Sequence, residues 1–318
     1  MMFNHRHLIS LEKFPKKDIQ QIIDTAFNFK EVLERPIKKV PSLQGKTIVN
    51  LFFENSTRTR ISFELAQKRL SADTVNFSAS TSSLKKGESF KDTAQNIEAM
   101  KIDAVVMRHP SPGAPYQLKK FINAQIINAG DGTHEHPTQA ILDMMSIQEK
   151  FGKIKGLNIA IIGDIYHSRV ARSNIYGLVT MGANVTVCGT PNLVPKEISE
   201  LGVNVNYNID EVIEWADAVN ILRIQRERMG IGLIPSNREY RRLFGVTYGR
   251  ISRRDKELVI MHPGPMNRGV EIDSEVADSD QAIILEQVLN GVASRMSILY
   301  LLLGAKEEDG NENWTNKG

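Results

Sequence analysis

Residues 48–60 have the sequence IVNLFFENSTRTR, in which a short, largely apolar run leads directly into a polar, arginine-rich stretch. The run 48–53 has the length and the consecutive apolar positions that are typical of a strand buried on both faces of a sheet. The polar stretch opens a predicted helix over 57–70. A buried strand that leads through a polar turn into a helix predicts an α/β fold.

The same pattern, a short run rich in Ile and Val before a longer amphipathic stretch, recurs along the chain. The predicted strands are 48–53, 103–107, 125–127, 158–162, 184–188, 218–222 and 258–261. The segments between them are long enough for crossover helices. Helices are predicted at 57–70, 88–100, 137–151, 168–181 and 282–303, and in the first of them Ile61, Leu65 and Ala66 are expected to share one apolar face. We therefore predict an α/β chain of two domains, each a mostly parallel sheet flanked by helices.

Composition limits the class of protein. The 318 residues suffice for two domains, and a hydrophobic fraction of 41% is ordinary for a globular chain. A formal net charge of +3 gives no general case for nucleic acid or an anionic membrane as a partner. The sequence shows neither a secretory signal nor a membrane span. The single cysteine, Cys188, excludes an intrachain disulfide and lies in a predicted buried strand. These features predict a cytoplasmic protein.

Polar clusters follow most of the predicted strands, at the sheet edge where open α/β folds bind ligands. In 54–60, three hydroxyl groups alternate with Arg58 and Arg60 at a predicted helix N-terminus. Backbone N–H groups, hydroxyls and guanidinium groups together favour phosphate. The alternative is an ordinary helix cap with solvated arginines, but a cap needs only one hydroxyl. We therefore predict a phosphate site here.

Two further clusters bear on cofactors. In 134–139, HEHPTQ, the two histidines could indicate a metal, but their i, i+2 spacing does not place them on one helical face. Residues 163–169, GDIYHSR, lack the second and third glycines of a dinucleotide-binding turn. The sequence therefore predicts no metal and no nicotinamide cofactor. Its arginines, histidines and hydroxyls predict a site that binds an oxyanion-rich substrate without covalent catalysis.

These motifs together resemble those of the aspartate/ornithine carbamoyltransferase superfamily, from about residue 6 to residue 304. Residues 56–60, STRTR, resemble the carbamoyl-phosphate signature, and 136–139, HPTQ, resemble a second shared motif. Residues 223–228, RIQRER, and 262–265, HPGP, resemble the branch that uses aspartate. The ornithine branch carries a His-Cys-Leu-Pro segment and an Asp-x-Trp-x-Ser-Met-Gly loop, which are missing from this sequence.

The resemblance implies a reaction and its site. The implied reaction transfers the carbamoyl group of carbamoyl phosphate to the α-amino group of L-aspartate, without a cofactor, in pyrimidine biosynthesis. The residues implied to bind carbamoyl phosphate are Ser56, Thr57, Arg58, Thr59, Ser82, Arg108, His136, Gln139, Gly264 and Pro265. Those implied to bind aspartate are Lys86, Arg169, Arg223 and Gln225. Those implied to be catalytic are Arg58, Thr59, Lys86, Arg108 and His136.

The resemblance also implies an organisation. Residues 1–146, completed by a C-terminal helix over 288–304, would bind carbamoyl phosphate, and 147–287 would bind aspartate. Ser82 and Lys86 would reach a neighbouring subunit's site, which implies a homotrimer with shared sites. The tail 305–318 is expected to be disordered, and 230–254 is predicted as a long loop with a short helix. Gly264 departs from the family, because many relatives have Leu there.

Other functions remain as alternatives. The acceptor could be ornithine or N-acetylornithine. A catalytically silent scaffold is a second alternative, although every expected functional position is present. Nucleic-acid binding through the arginine-rich 230–254 is a third, but that stretch lacks interleaved aromatic residues. The sequence leaves open whether regulatory or dihydroorotase subunits join the trimer, and whether nucleotides regulate it.

Overall fold

A computed structural model describes residues 3–78, 89–225 and 236–304 of the chain. Within these residues, the first domain holds four parallel strands: β1 (Thr47–Phe52), β2 (Asp73–Ser78), β3 (Ala104–His109) and β4 (Gln125–Asp131). Their order in the sheet is β2-β1-β3-β4. The helices of this part are α1 (Lys16–Glu34), α2 (Thr57–Arg69), α3 (Phe90–Ala99), α4 (Ala114–Leu118) and α5 (Pro137–Phe151).

Within the described residues, the second domain holds five parallel strands: β5 (Asn158–Ile162), β6 (Asn184–Cys188), β7 (Asn204–Val205), β8 (Ala218–Ile221) and β9 (Val259–Met261). Their order in the sheet is β7-β6-β5-β8-β9. The remaining helices are α6 (Arg169–Met181), α7 (Ile209–Trp215), α8 (Asn237–Phe244), α9 (Tyr248–Ile251), α10 (Ser274–Ala277) and α11 (Ile284–Leu303). The prediction of two parallel-sheet domains flanked by helices is confirmed.

The last helix, α11, packs on the first domain, where it contacts α1, α2 and α5. The Arg295 guanidinium donates to Ser62 Oγ of α2 at 3.0 Å. The Ser297 hydroxyl donates to the backbone carbonyl of Ile22 in α1 at 2.7 Å. Because α11 is largely buried, these contacts join the two ends of the described chain in one core.

Each predicted strand coincides with an observed strand, and Cys188 is buried as predicted. The sequence did not indicate β2 and β7, each of which lies at one edge of its sheet. In β2, polar residues outnumber apolar ones and Val75 is 48% exposed, so the strand lacks a continuous apolar run. Among the described residues, no helix is long and apolar enough to cross a membrane.

Two local predictions were wrong. The prediction placed Ile61, Leu65 and Ala66 on one face of α2, but Ile61 and Leu65 are exposed and the buried face instead includes Phe63. The segment 230–254 was predicted as a loop with one short helix. Its described part, 236–254, contains both α8 and α9, because Tyr240 and Phe244 of α8 and Ile251 of α9 anchor this part in the second core.

Candidate active site

A cleft of about 720 Å³ lies between the two domains, where strands of both sheets end. Its walls are formed by residues that follow β1, β8 and β9, by Arg108 near the end of β3, by the N-termini of α2, α5 and α6, and by α11. All the predicted site residues within the described ranges line it: Ser56, Thr57, Arg58, Thr59, Arg108, His136, Gln139, Arg169, Arg223, Gln225, Gly264 and Pro265. The predicted Ser82 and Lys86 lie outside the described residues.

The cleft is strongly cationic. Five arginines are among the described residues of its lining: Arg58, Arg108, Arg169, Arg223 and Arg295. Glu54 is the one carboxylate of that lining within the described part of the chain. Focusing of like charges in a cleft raises the local concentration of oppositely charged ligands, so the site is suited to anions.

The turn between β1 and α2 carries the predicted phosphate site. Ser56 is the N-cap residue of α2, yet its side chain forms no capping hydrogen bond, so the ordinary-cap alternative is not supported. Arg58 extends from the first turn of α2, and its Nη2 donates to the Pro263 carbonyl of the second domain at 3.1 Å. Burial lowers the pKa of the Arg58 guanidinium. Its charge is therefore incompletely hydrated, which favours pairing with a bound anion.

Glu54 connects the two domains through arginines. Its Oε1 forms an ion pair with Arg108 of β3, at 2.9 Å from Nε, and accepts a hydrogen bond from Arg169 Nη2 at the start of α6. Arg169 is only 4% exposed, so the carboxylate offsets much of the cost of burying that charge. The sequence interpretation missed Glu54. It stands two positions before Ser56, in a stretch whose hydroxyls and arginines gave the stronger signal.

His136 lies at the N-terminus of α5, where Pro137 takes the first helical position. Its backbone N–H donates to Ser173 Oγ at 2.8 Å, and Ser173 donates in turn to the buried Glu135 carboxylate at 2.8 Å. Burial, reinforced by Arg108, Arg169 and Arg295, holds the pKa of the His136 imidazole well below its usual range. The ring is therefore neutral at pH 7 and can donate one N–H into the cleft.

The segment 262–265 closes the cleft from the second domain. His262 Nδ1 accepts the Gly264 backbone N–H at 2.8 Å, which leaves the Nε2 proton to face the buried Glu271 carboxylate at 3.4 Å. Gly264 has φ of +57°, and a Cβ there would lie 1.9 Å from Arg58 Nη1. A side chain at position 264 would therefore have to adopt a positive φ and would displace the flexible end of Arg58.

Within the described ranges, no group of three or more His, Cys, Asp and Glu side chains is arranged to hold a metal ion. His134 instead pairs with Asp131 through Nδ1 at 3.0 Å. This pairing raises the pKa of His134, while His136 takes part in the cleft lining. The two histidines of HEHPTQ therefore have different surroundings.

Comparison with known proteins identifies the family. The carbamoyl-P binding domain of aspartate/ornithine carbamoyltransferases matches residues 6–149, and their Asp/Orn binding domain matches residues 155–302. The chain belongs to the aspartate/ornithine carbamoyltransferase family. Together the two matches cover nearly all of the residues around the cleft.

Individual carbamoyltransferases are similar over almost their full length. The aspartate carbamoyltransferase catalytic subunit of Cytophaga hutchinsonii is 59% identical over 301 residues, 95% of this chain and 98% of the relative. That of Christiangramia forsetii is 60% identical over 296 residues, 93% of this chain and 96% of the relative.

Solved carbamoyltransferases of both acceptor types share the fold. Aspartate transcarbamoylase from Trypanosoma cruzi, in complex with N-(phosphonacetyl)-L-aspartic acid, matches with a TM-score of 0.85 and 31% identity, over 94% of this chain and 96% of that one. Ornithine carbamoyltransferase from Pyrococcus furiosus matches with a TM-score of 0.84 and 26% identity, over 96% and 99%. The fold alone therefore does not distinguish the acceptors.

Proposed function

We propose that the chain transfers the carbamoyl group of carbamoyl phosphate to the α-amino group of L-aspartate, giving N-carbamoyl-L-aspartate and phosphate. Five arginines and one carboxylate among the described residues of the cleft carry this proposal, because both substrates are anions. The acceptor is supported by relatives at 53–60% identity that are named aspartate carbamoyltransferase catalytic subunits. An ornithine acceptor would bring a second ammonium group into a cleft already rich in cations.

Carbamoyl phosphate binds mainly to the first domain. The N-terminus of α2 presents Ser56, Thr57 and Thr59 together with Arg58, and these groups hold the phosphate. Thr59, Arg108 and His136 face the carbamoyl oxygen, where negative charge develops during attack. Because His136 is neutral, it acts there as an N–H donor rather than as a cation.

Aspartate binds against the second domain. Arg169, Arg223 and Gln225 hold its two carboxylates. Its neutral amine then attacks the carbamoyl carbon, so that a C–N bond forms while the bond from carbon to the phosphate oxygen breaks. Phosphate leaves against Arg58 and takes the proton that the amine loses. Holding the two anions in contact converts a bimolecular encounter into an oriented reaction.

The assembly and the domain roles are part of the proposal. Residues 1–146 with 288–304 form the carbamoyl-phosphate domain, which the contacts of α11 with α1, α2 and α5 support. Residues 147–287 form the aspartate domain. The chain works as a cytoplasmic homotrimer in pyrimidine biosynthesis, and Ser82 and Lys86 complete a neighbouring subunit's site. Regulatory or dihydroorotase subunits are compatible with it.

The deciding assay supplies the purified chain with carbamoyl phosphate and either L-aspartate or L-ornithine, without metal or nucleotide. We expect product with aspartate alone. Product with ornithine alone would overturn the roles of Arg223 and Gln225, and no product from a folded oligomer would overturn the proposed activity.

Shared sites have their own test. Chains carrying Arg58→Ala and chains carrying Lys86→Ala are unfolded together and refolded as mixed oligomers. A site between the two kinds of chain can take Arg58 from one chain and Lys86 from its neighbour, so part of the activity should return. Mixed oligomers as inactive as the two parents would contradict shared sites.

A further inference from the structure

A buried carboxylate, Asp143, lies directly behind the cleft. It is on α5, one helical turn after Gln139, and its side chain is fully buried. Its hydrogen-bond donors within the described residues are four side-chain amides, which come from α5, α6, β8 and α11. A carboxylate placed where these elements meet can fix the orientation of several amides at once.

The two oxygens of Asp143 serve different surroundings. Oδ1 accepts from Gln139 Nε2 at 2.9 Å and from Gln287 Nε2 at 2.8 Å, and both of these glutamines line the cleft. Oδ2 accepts from Asn174 Nδ2 at 2.8 Å and from Asn220 Nδ2 at 3.0 Å, and both asparagines are buried in the second domain. Oδ1 therefore faces the substrate side and Oδ2 the scaffold.

The contact with Oδ1 decides which end of the Gln139 amide is presented to a ligand. Since Nε2 of Gln139 donates to Asp143, its carbonyl Oε1 is the end left for the cleft. Carbonyl acceptors are valuable there, because the five arginines of the lining supply donors only. The carbamoyl NH₂ group has two N–H donors and needs such acceptors.

Gln287 extends the same effect to the segment 262–265. Its Nε2 donates to Asp143 Oδ1, and its Oε1 accepts the backbone N–H of His262 at 3.0 Å. The carbonyls of Gly264 and Pro265 follow two and three residues later and border the same cleft. Asp143 is thus connected to both sources of carbonyl acceptors.

We propose that Asp143 is a positioning residue that selects the carbamoyl amide of the substrate, by holding Gln139 Oε1 toward the cleft and anchoring 262–265 through Gln287. This inference rests on the proposed function and adds a basis for discrimination. Acetyl phosphate has a methyl group where carbamoyl phosphate has NH₂, and it gains nothing from these acceptors. Burial raises the pKa of Asp143 to about 6, so the carboxylate is ionised at neutral pH and accepts through both oxygens.

A matched pair of double variants tests the orientation without changing volume or the number of acids. Asp143→Asn with Gln287→Glu directs the new Asn amide N–H₂ toward the cleft side, since the carboxylate introduced at position 287 accepts from it. Gln139 must then turn its own carbonyl inward and present N–H₂ to the substrate. Asp143→Asn with Asn174→Asp directs the same N–H₂ toward the scaffold, and Gln139 keeps its orientation.

The readout is the ratio of the KM for carbamoyl phosphate to the inhibition constant of acetyl phosphate, which cancels any general effect of charge on anion binding. We expect the ratio to rise about 10- to 100-fold in the first double variant, because a mispaired polar group typically weakens binding by about that factor. In the second we expect it to stay within about threefold of wild type.

An unchanged ratio in the first double variant, or an equal rise in both, would overturn the inference. Should the first fail to fold, Asp143→Ala supplies the same test, with the ratio again expected to rise and an unchanged ratio again counting against the proposal. A wild-type chain that forms no carbamoyl aspartate would refute the proposed function instead, so the two failures are distinguishable.

Discussion

At the residue scale, Arg58 is the side chain whose removal should reduce turnover most. It lines the cleft at the start of α2, and in the proposed reaction it neutralises the departing phosphate. We expect Arg58→Ala to lower kcat about 10²–10³-fold, as for other transition-state donors, with an unchanged circular dichroism spectrum. Arg60→Ala is the matched control, because Arg60 belongs to the same helix but, among the described residues, does not line the cleft. Normal turnover in Arg58→Ala would refute the assigned role.

Glu54 makes a second prediction at this scale. Glu54→Gln keeps the size of the side chain but removes the charge that holds Arg108 and Arg169 together. Hydrogen bonds to charged groups contribute about 1.5–3 kcal/mol, so we expect the KM for aspartate to rise about tenfold or more. The control is Glu64→Gln, whose partner Lys68 is largely exposed. A KM that does not change would show that the arginines are positioned without Glu54.

The roles of single residues were predictable only in part. Arg58 and Arg223 could be proposed because they follow predicted strands, and the ends of parallel strands meet at one edge. Glu54 and Asp143 could not be, since their roles depend on distances to side chains that are remote in sequence. The sequence alone does not assign a role to an acid beside a phosphate motif, because that role depends on where its partner arginines lie in the fold.

At the scale of elements, α7 offers a test of helix capping away from the cleft. Asn208 is its N-cap, and its Oδ1 accepts the backbone N–H groups of Asp210 at 3.1 Å and Glu211 at 3.4 Å. Asn208→Ala should lower the free energy of unfolding by about 1 kcal/mol. Asn208→Ser should stay within a few tenths of a kcal/mol of wild type, because a serine hydroxyl also caps. Denaturant titrations measure both, and equal losses would argue against capping.

Strands were predicted where they have a continuous apolar run, which includes the edge strands β4 and β9, and were missed where they do not. Strands such as β3 and β5 have continuous apolar runs because helices cover both faces of the sheet. The outermost β2 has a mixed sequence, and β7 spans only two residues. In α2 the exposed Ile61 and Leu65 were grouped with the buried Ala66 on one face, since the periodicity of apolar residues does not by itself say which face is covered.

At the scale of the whole molecule, His7 makes stability depend on pH. Its Nδ1 accepts the Ile126 backbone N–H at 3.1 Å, and burial, with Lys119 and Arg6, lowers the pKa of His7 to about 4. An unfolded histidine titrates near 6.5, so between these values the unfolded chain binds the proton more tightly. This contribution to stability is present above pH 6.5 and is lost as pH falls toward 4.

His7→Gln is the corresponding variant, because its amide oxygen can accept the same N–H without titrating. The decrease in Tm between pH 6.5 and pH 4.5 should be smaller in this variant than in wild type. Thermal unfolding followed by circular dichroism at several pH values measures the difference. Parallel curves for the two proteins would exclude His7 as a source of the pH dependence.

The position of α11 has a consequence for synthesis on the ribosome. Translation produces α1, α2 and α5 early, but the helix that covers them is the last described element to emerge. The second sheet is therefore complete before the first domain can close. A chain that stops before residue 284 lacks α11, so apolar faces of the first domain stay exposed even when the second domain has folded. Such truncated products are therefore substrates for chaperones and proteases.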